Sequence, residues 1–223
     1  MKRIKDYIGK LCLKYLIPKP PIVDSNKIKI ACIGDSITYG AGVPHDHEHN
    51  TWEYFLGEKL GGEYQVLNYG ISGRTLLDEG DFPYRKEKFY NISRQIKAEI
   101  YILMLGTNDS KPYNWNTKRF QKQYREFVDS YLKLENKPKV YLMAPPHCFQ
   151  DEETGIVGYD IIAETVQGEI HNFILEYAKE NDIPCIDLDE GTKEHPEWFD
   201  DGVHPNAVGN RALADLIYSV IFN

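Results

Sequence analysis

The stretch "KIKIACIGDSITYGAG", residues 27–42, ends an apolar run at Gly34 and follows it at once with a carboxylate, Asp35, and a hydroxyl, Ser36. A serine presented at the end of a buried strand can act as a nucleophile. It then needs a base for its proton, an acid to orient that base, and N–H donors for the developing oxyanion. A glycine-bearing turn after a strand can instead cradle phosphate. That chemistry calls for a lysine beside a serine or threonine, which "GDSITYGAG" lacks. The glycines are also wrongly spaced for a dinucleotide fingerprint, while a flavin at the same sheet edge stays open.

The base is best sought in "DDGVHPNAVG", residues 200–209. Pro205 disfavours a helical His204, which keeps the imidazole in a loop. Asp201, three residues upstream across a turn containing Gly202, can hold one ring nitrogen and leave the other for Ser36. Candidate oxyanion donors lie at other strand ends: the backbone N–H of Ser36, the N–H of Gly73 in "NYGISGRT", and the side-chain amide of Asn108 in "MLGTNDS". A glycine lets backbone approach a bound acyl group closely, and a neutral amide donates without neutralising the base. Asp35 could be mistaken for the orienting acid. Immediate chain neighbours usually point apart, so a structural role is expected for it, tying the loop after Ser36 to nearby N–H groups.

These residues need elements to position them. Five apolar runs read as strands: 27–33, 64–70, 99–105, 139–144 and 184–188. The third and fourth are nearly continuous in apolar residues, as expected of a parallel sheet buried on both faces. Helical spacing lies between them. Phe120, Tyr124, Phe127, Tyr131 and Leu134 share one face, as do Ile162, Val166, Ile170, Phe173 and Tyr177. Asn206 can cap a last helix that buries Leu213, Ile217 and Val220. Alternating strands and helices predict a three-layer α/β/α sandwich with an open five-stranded parallel sheet, whose carboxyl edge is where ligands bind. Long loops are expected at 74–88 and 145–158.

The 223 residues fit one domain, read as 27–223, after an N-terminal amphipathic segment over 1–26 whose helix ends before Pro18. That segment superficially resembles a secretory leader, but Lys10 and Lys14 interrupt its apolar stretch and no small-residue cleavage site follows. A formal charge of −8 argues against a nucleic-acid partner, and no run is long enough for a transmembrane span. Cys12, Cys32, Cys148 and Cys185 show no paired spacing, which suits reduced thiols in a cytoplasmic protein and no zinc site. His45, His47 and His49 alternate in "HDHEHNTW" and could in principle hold zinc or copper; the flanking Asp46 and Glu48 point instead to a solvated loop, so no metal is expected. The sequence sets no oligomeric state.

Taken in order, "IGDSIT", "NYGISG", "LGTND" and "DGVHPN" resemble the SGNH (GDSL-type) hydrolases, over residues 28 to about 221. The first block has isoleucine where the family's name has leucine. The resemblance implies a flavodoxin-like fold and ester hydrolysis through an acyl-enzyme, with no cofactor. It implies Ser36, Asp201 and His204 as the catalytic set, with Ser36, Gly73 and Asn108 as the oxyanion hole. An α/β-hydrolase elbow at Ser72 is excluded because "GISGR" breaks that pattern at Arg74.

For substrate binding, Arg74 could clamp a carboxylate or a sugar hydroxyl, or equally be a surface or structural arginine; Tyr113, Trp115 and His147 would suit a carbohydrate face, although each such side chain alone is more often packing or solvent contact. No long apolar loop pair suggests an acyl-chain tunnel. Together with likeness to the acetylesterase branch, this favours removal of acetyl or other small acyl groups from a sugar. The alternatives are a thioesterase or lysophospholipase on the same fold, or a catalytically silent carbohydrate-binding relative.

Overall fold

The computed structural model describes residues 17–151 and 157–222. Its sheet has five parallel strands: β1 (Ile28–Gly34), β2 (Tyr64–Gly70), β3 (Ile100–Met104), β4 (Lys139–Ala144) and β5 (Cys185–Asp187). Their spatial order is β2-β1-β3-β4-β5, and every pairing is parallel. Eight α-helices accompany them among the described residues: α1 (Ser36–Tyr39), α2 (His47–Asn50), α3 (Trp52–Leu60), α4 (Lys88–Gln95), α5 (Thr117–Leu132), α6 (His171–Glu180), α7 (Leu188–Thr192) and α8 (Ala207–Phe222).

The period-two alternation of strand side chains produces the three layers. Ala31, Ile33, Tyr69, Tyr101, Leu103 and Leu142 face one core with α4, α5 and α6, where Phe89, Phe120, Phe127 and Phe173 pack. Ile30, Cys32, Ile102, Met104, Tyr141 and Met143 face the other with α3 and α8, which supply Trp52, Phe55, Leu213 and Ile217. Strand order reverses between β1 and β3, and the crevice at such a switch opens beyond the carboxyl ends of the strands. Ser36 stands at that opening.

Two helical stripes depart from the expected pattern. A π-helical turn over Thr165–Ile170 precedes α6 and splits its stripe. Ile170, Phe173 and Tyr177 enter the main core, Val166 joins a small cluster with Cys148, Val157, Ile161, Ala163 and Val203, and Ile162 is exposed. On α8, Asn206 caps as expected, its Oδ1 accepting from the N–H groups of Val208 and Gly209 at 3.1 Å each. Val220, however, is exposed; Ile221 packs at the core edge instead, because the row continues from Leu213 and Ile217 at steps of four.

The helix expected before Pro18 lies outside the described residues. The chain that follows it is tied to β2, where the Gln65 amide donates to the Ile22 carbonyl and accepts from the Asp24 N–H, both at 2.8 Å. Cys32, Cys148 and Cys185 are free thiols; Cys12 is outside the described residues. Among the described residues no helix is long and apolar enough to cross a membrane.

Candidate active site

Asp35 decides how β1 turns into α1. Its Oδ1 accepts from the Ile37 N–H at 3.0 Å, capping the helix and fixing the backbone that presents Ser36. Its Oδ2 accepts from the Asn108 side-chain amide at 3.3 Å. Burial raises the Asp35 carboxyl to about 6, against the lowering effects of the Ile37 N–H, His204, Lys111 and Asn108. The acid beside Ser36 therefore holds one helix start and one amide, both at the mouth of the strand.

His204 reaches Ser36 from the opposite end of the chain. Its Nε2 lies 2.8 Å from Ser36 Oγ, and its Nδ1 lies 2.7 Å from Asp201 Oδ2. The turn that brings acid and imidazole together needs Gly202, which has φ 78° and would press a Cβ to 2.3 Å from the Phe149 carbonyl oxygen. Asp201 Oδ1 accepts from the N–H groups of Val203 at 2.9 Å and His204 at 2.7 Å. Partial burial would raise the Asp201 carboxyl, but the hydrogen bond and charge of His204, with these two N–H groups, hold it well below the usual carboxylate range. An ionised Asp201 selects the tautomer protonated at Nδ1, leaving Nε2 to accept from the Ser36 hydroxyl.

Ser36, Gly73, Asn108 and His204 line one cleft of about 250 Å³, together with Ala41, Ser72, Thr107, Lys111, Tyr159, Ile161 and Val203. Gly73 has φ 79°, a left-handed conformation in which any residue with a side chain would be strained. The loop carrying it is fastened to the loop after β3 through Asp109, a buried acid whose two oxygens accept from the N–H groups of Leu76 at 2.9 Å and Leu77 at 2.8 Å. Burial raises that carboxyl to about 7. Asn108 uses one amide N–H on Asp35, and its two-donor amide leaves the second for the cleft.

The residues expected to bind substrate are distributed differently. Arg74 is buried: Nε and Nη2 both reach Glu87 Oε1, at 3.0 and 2.7 Å, and Nη1 donates to the Ser72 carbonyl at 2.8 Å. Its guanidinium braces the 74–88 loop and does not line the cleft, which corrects the clamp reading. Trp115 donates from Nε1 to Glu169 Oε1 at 3.2 Å and packs on Phe120, away from the cleft lining. His147 is paired through Nδ1 with Asp189 at 2.8 Å and borders a separate hollow beside Cys148 and Gln167. Of the four, only Tyr113 is near the cleft, in an adjoining hollow that shares Ile161 with it.

The three histidines before α3 form no common site. His47 packs against Tyr39 with the rings tilted and its Nε2 contacts the Tyr39 carbonyl, while His49 turns its Nδ1 to Asp46 at 2.9 Å. His47 and His49 belong to the short helix α2 rather than to the expected loop. Among the described residues no group of three or more His, Cys, Asp or Glu side chains is placed to hold a metal ion.

Sequence reasoning missed three groups at or just behind the cleft wall. Asp109 carried no signal beyond following Asn108. Lys111 is buried in the cleft wall 3.6 Å from Asp81, a partner thirty residues away in sequence. Tyr159 donates its hydroxyl to Asp201 Oδ2 at 3.0 Å and stands edge-on to the His204 ring at 5.0 Å. Its only sequence signal was position, just past the long loop after β4.

With this geometry in place, the comparisons with known proteins are specific. The model of the GDSL-like lipase/acylhydrolase family matches residues 32–212. The chain belongs to this family. An acetylxylan esterase from Xylanibacter ruminicola is 30% identical over 227 aligned positions, covering 90% of this chain and 44% of that protein. The chain thus spans less than half the length of this curated relative. Among solved structures, the inhibitor-bound aryl esterase of M. smegmatis is 23% identical with a TM-score of 0.68, covering 86% of this chain and 99% of that one. Est24, a carbohydrate acetylesterase from Sinorhizobium meliloti, is 22% identical with a TM-score of 0.69, covering 86% and 97%. These two likenesses show a common fold.

Proposed function

We propose that the protein is a serine esterase that removes small acyl groups, acetyl foremost, from a carbohydrate through an acyl-enzyme. The observation that carries this reading is the continuous chain from Ser36 Oγ to His204 Nε2, then from His204 Nδ1 to Asp201 Oδ2. In the first step His204 takes the Ser36 proton as Oγ attacks the ester carbonyl. The imidazolium that forms faces the ionised Asp201, and the negative oxygen is received by the N–H groups of Ser36 and Gly73 and by the Asn108 amide. Collapse expels the sugar alcohol, which takes the proton from His204. Water, deprotonated by the same imidazole, then attacks the acyl-serine and releases the acid.

Substrate size is argued from the cleft. About 250 Å³ walled by Ala41, Ile161 and Val203 accommodates a short acyl group and leaves little depth for a long chain. The name of the Xylanibacter relative points to acetylated xylan as the first polymer to try. The test is hydrolysis of p-nitrophenyl acetate, butyrate and octanoate, followed by acetylated xylo-oligosaccharides, by the protein and by Ser36→Ala. Acetate is expected to be the preferred ester, and Ser36→Ala should lower kcat by roughly a millionfold. A variant that still hydrolyses acetate at near the original rate would overturn the mechanism. Steep preference for octanoate or an acyl-thioester would overturn the substrate class and favour a lysophospholipase or thioesterase.

A further inference from the structure

We infer that Tyr159 is a positioning residue of this site: its hydroxyl holds Asp201 Oδ2 against the imidazole while its ring covers the edge of His204. The inference rests on the catalytic reading above and extends it to a residue outside the four sequence blocks.

Each Asp201 oxygen has two donors. Oδ1 is occupied by the N–H groups of its own turn, Val203 and His204. Oδ2 takes His204 Nδ1 at 2.7 Å and the Tyr159 hydroxyl at 3.0 Å. The acid is also the more open partner of the pair, its side chain 36% exposed against 8% for His204. Tyr159 therefore stands where water would otherwise solvate Oδ2. A fixed neutral donor there does two things that water does not. It restricts rotation of the carboxylate about its side-chain bond, and it returns the same hydrogen bond at every turnover without reorganising.

The backbone is built to deliver this side chain. Tyr159 and Asp160 have φ 64° and 59°, two consecutive non-glycine residues in the left-handed region. Val157 and Ile161, on either side, are buried with Cys148, Val166 and Val203. Val203 is the neighbour of His204, so the cluster that anchors the Tyr159 turn also anchors the catalytic loop. The exposed part of the ring then forms one wall of the cleft.

The charged and titratable groups around His204 are Asp201 on its own loop, Asp35 and Ser36 at the start of α1, Lys111 after β3, Cys148 after β4, and Tyr159. Burial and the Asp201 charge push the Tyr159 phenol up to about 12, so it is a neutral donor throughout the working range. By sharing the charge on Oδ2, the phenol reduces the stabilisation that Asp201 gives to protonated His204. Removing the hydroxyl should shift the imidazole titration upward.

Tyr159→Phe tests this with the ring retained. The readout is the NMR titration of the His204 ring, assigned by its loss in His204→Gln, beside the acidic limb of kcat/KM for p-nitrophenyl acetate. Both should move up by roughly half a pH unit, with kcat lowered a few-fold. Tyr159→Ala should show the same titration shift with a larger loss of kcat, since the wall goes with the hydroxyl. A His204 titration unchanged in Tyr159→Phe overturns the inference, as does a shift seen only in Tyr159→Ala, which would assign the effect to the ring. The NMR readout needs no turnover, so it separates failure of this inference from failure of the esterase reading, which Ser36→Ala addresses.

Discussion

Two pairs of an acid and a basic side chain, His204–Asp201 and Arg74–Glu87, do opposite work. Both lie in connecting segments and both invite a chemical reading from sequence. In the first pair the acid takes one ring nitrogen and leaves the other 2.8 Å from a serine hydroxyl that lines the cleft. In the second, the guanidinium turns Nε, Nη1 and Nη2 inward, onto Glu87 and the Ser72 carbonyl. A charged residue beside a cleft contributes chemistry only when one of its polar atoms is left facing that cleft. Where the donors close on an internal acid, the same charge holds a loop.

Breaking the two pairs should therefore give opposite phenotypes. Asp201→Asn keeps an acceptor oxygen for the turn but lets His204 take the wrong tautomer, so kcat should fall roughly ten-thousandfold. The cost in stability should be greatest near neutral pH and shrink in acid. Because the folded Asp201 carboxyl lies below its unfolded value, the stability it contributes is present at neutral pH and lost as pH falls through the acid range. Urea titrations of the protein and of Asp201→Asn should accordingly converge at low pH. Divergence there, or a kcat within tenfold of the original, would dissolve the contrast with Arg74.

Arg74→Ala is the second test and reverses the pattern. It strands Glu87, a mostly buried carboxylate, and should cost about 3–5 kcal/mol in urea unfolding. For the folded fraction, kcat and KM for p-nitrophenyl acetate should stay within twofold. A KM raised severalfold, with the urea midpoint unmoved, would restore Arg74 as a substrate clamp.

The same contrast explains how far the sequence could be read. The sheet was legible because five apolar runs of strand length alternate with helical stripes, and burial on both faces leaves few alternatives. The His204–Asp201 contact was legible because three residues separate the partners and Gly202 and Pro205 mark the turn. Arg74 stayed open between clamp and brace because its partner is thirteen residues away in an irregular loop, where spacing carries no information about which atoms meet. Tyr159 escaped for a related reason. Its backbone lies in a left-handed conformation that glycine, not tyrosine, would signal, and its partner Asp201 is 42 residues distant. The π turn before α6 breaks the step of three and four that periodicity assumes, which is why Ile162 and Val166 left the expected stripe.

The smallest expected effects concern the aromatic and imidazole groups that looked suited to a sugar. Trp115 fixes Glu169, which also accepts from Thr117 at 2.6 Å, so it joins the start of α5 to the π turn rather than to the cleft. His147 is held by Asp189, and its backbone N–H donates to Thr192 Oγ1 at 2.9 Å, binding the loop after β4 to α7. Trp115→Phe and His147→Gln should each change KM for an acetylated oligosaccharide by less than about twofold, since neither side chain borders Ser36. Tyr113 differs from both, being half exposed in the hollow that meets the cleft at Ile161. Tyr113→Ala should raise KM for the oligosaccharide a few-fold while leaving p-nitrophenyl acetate unaffected, because stacking on a ring serves the sugar and not the acyl group. Equal effects at Tyr113 and Trp115 would mean that the glycan crosses α5, and the boundary drawn here between structural and substrate-facing aromatics would have to move.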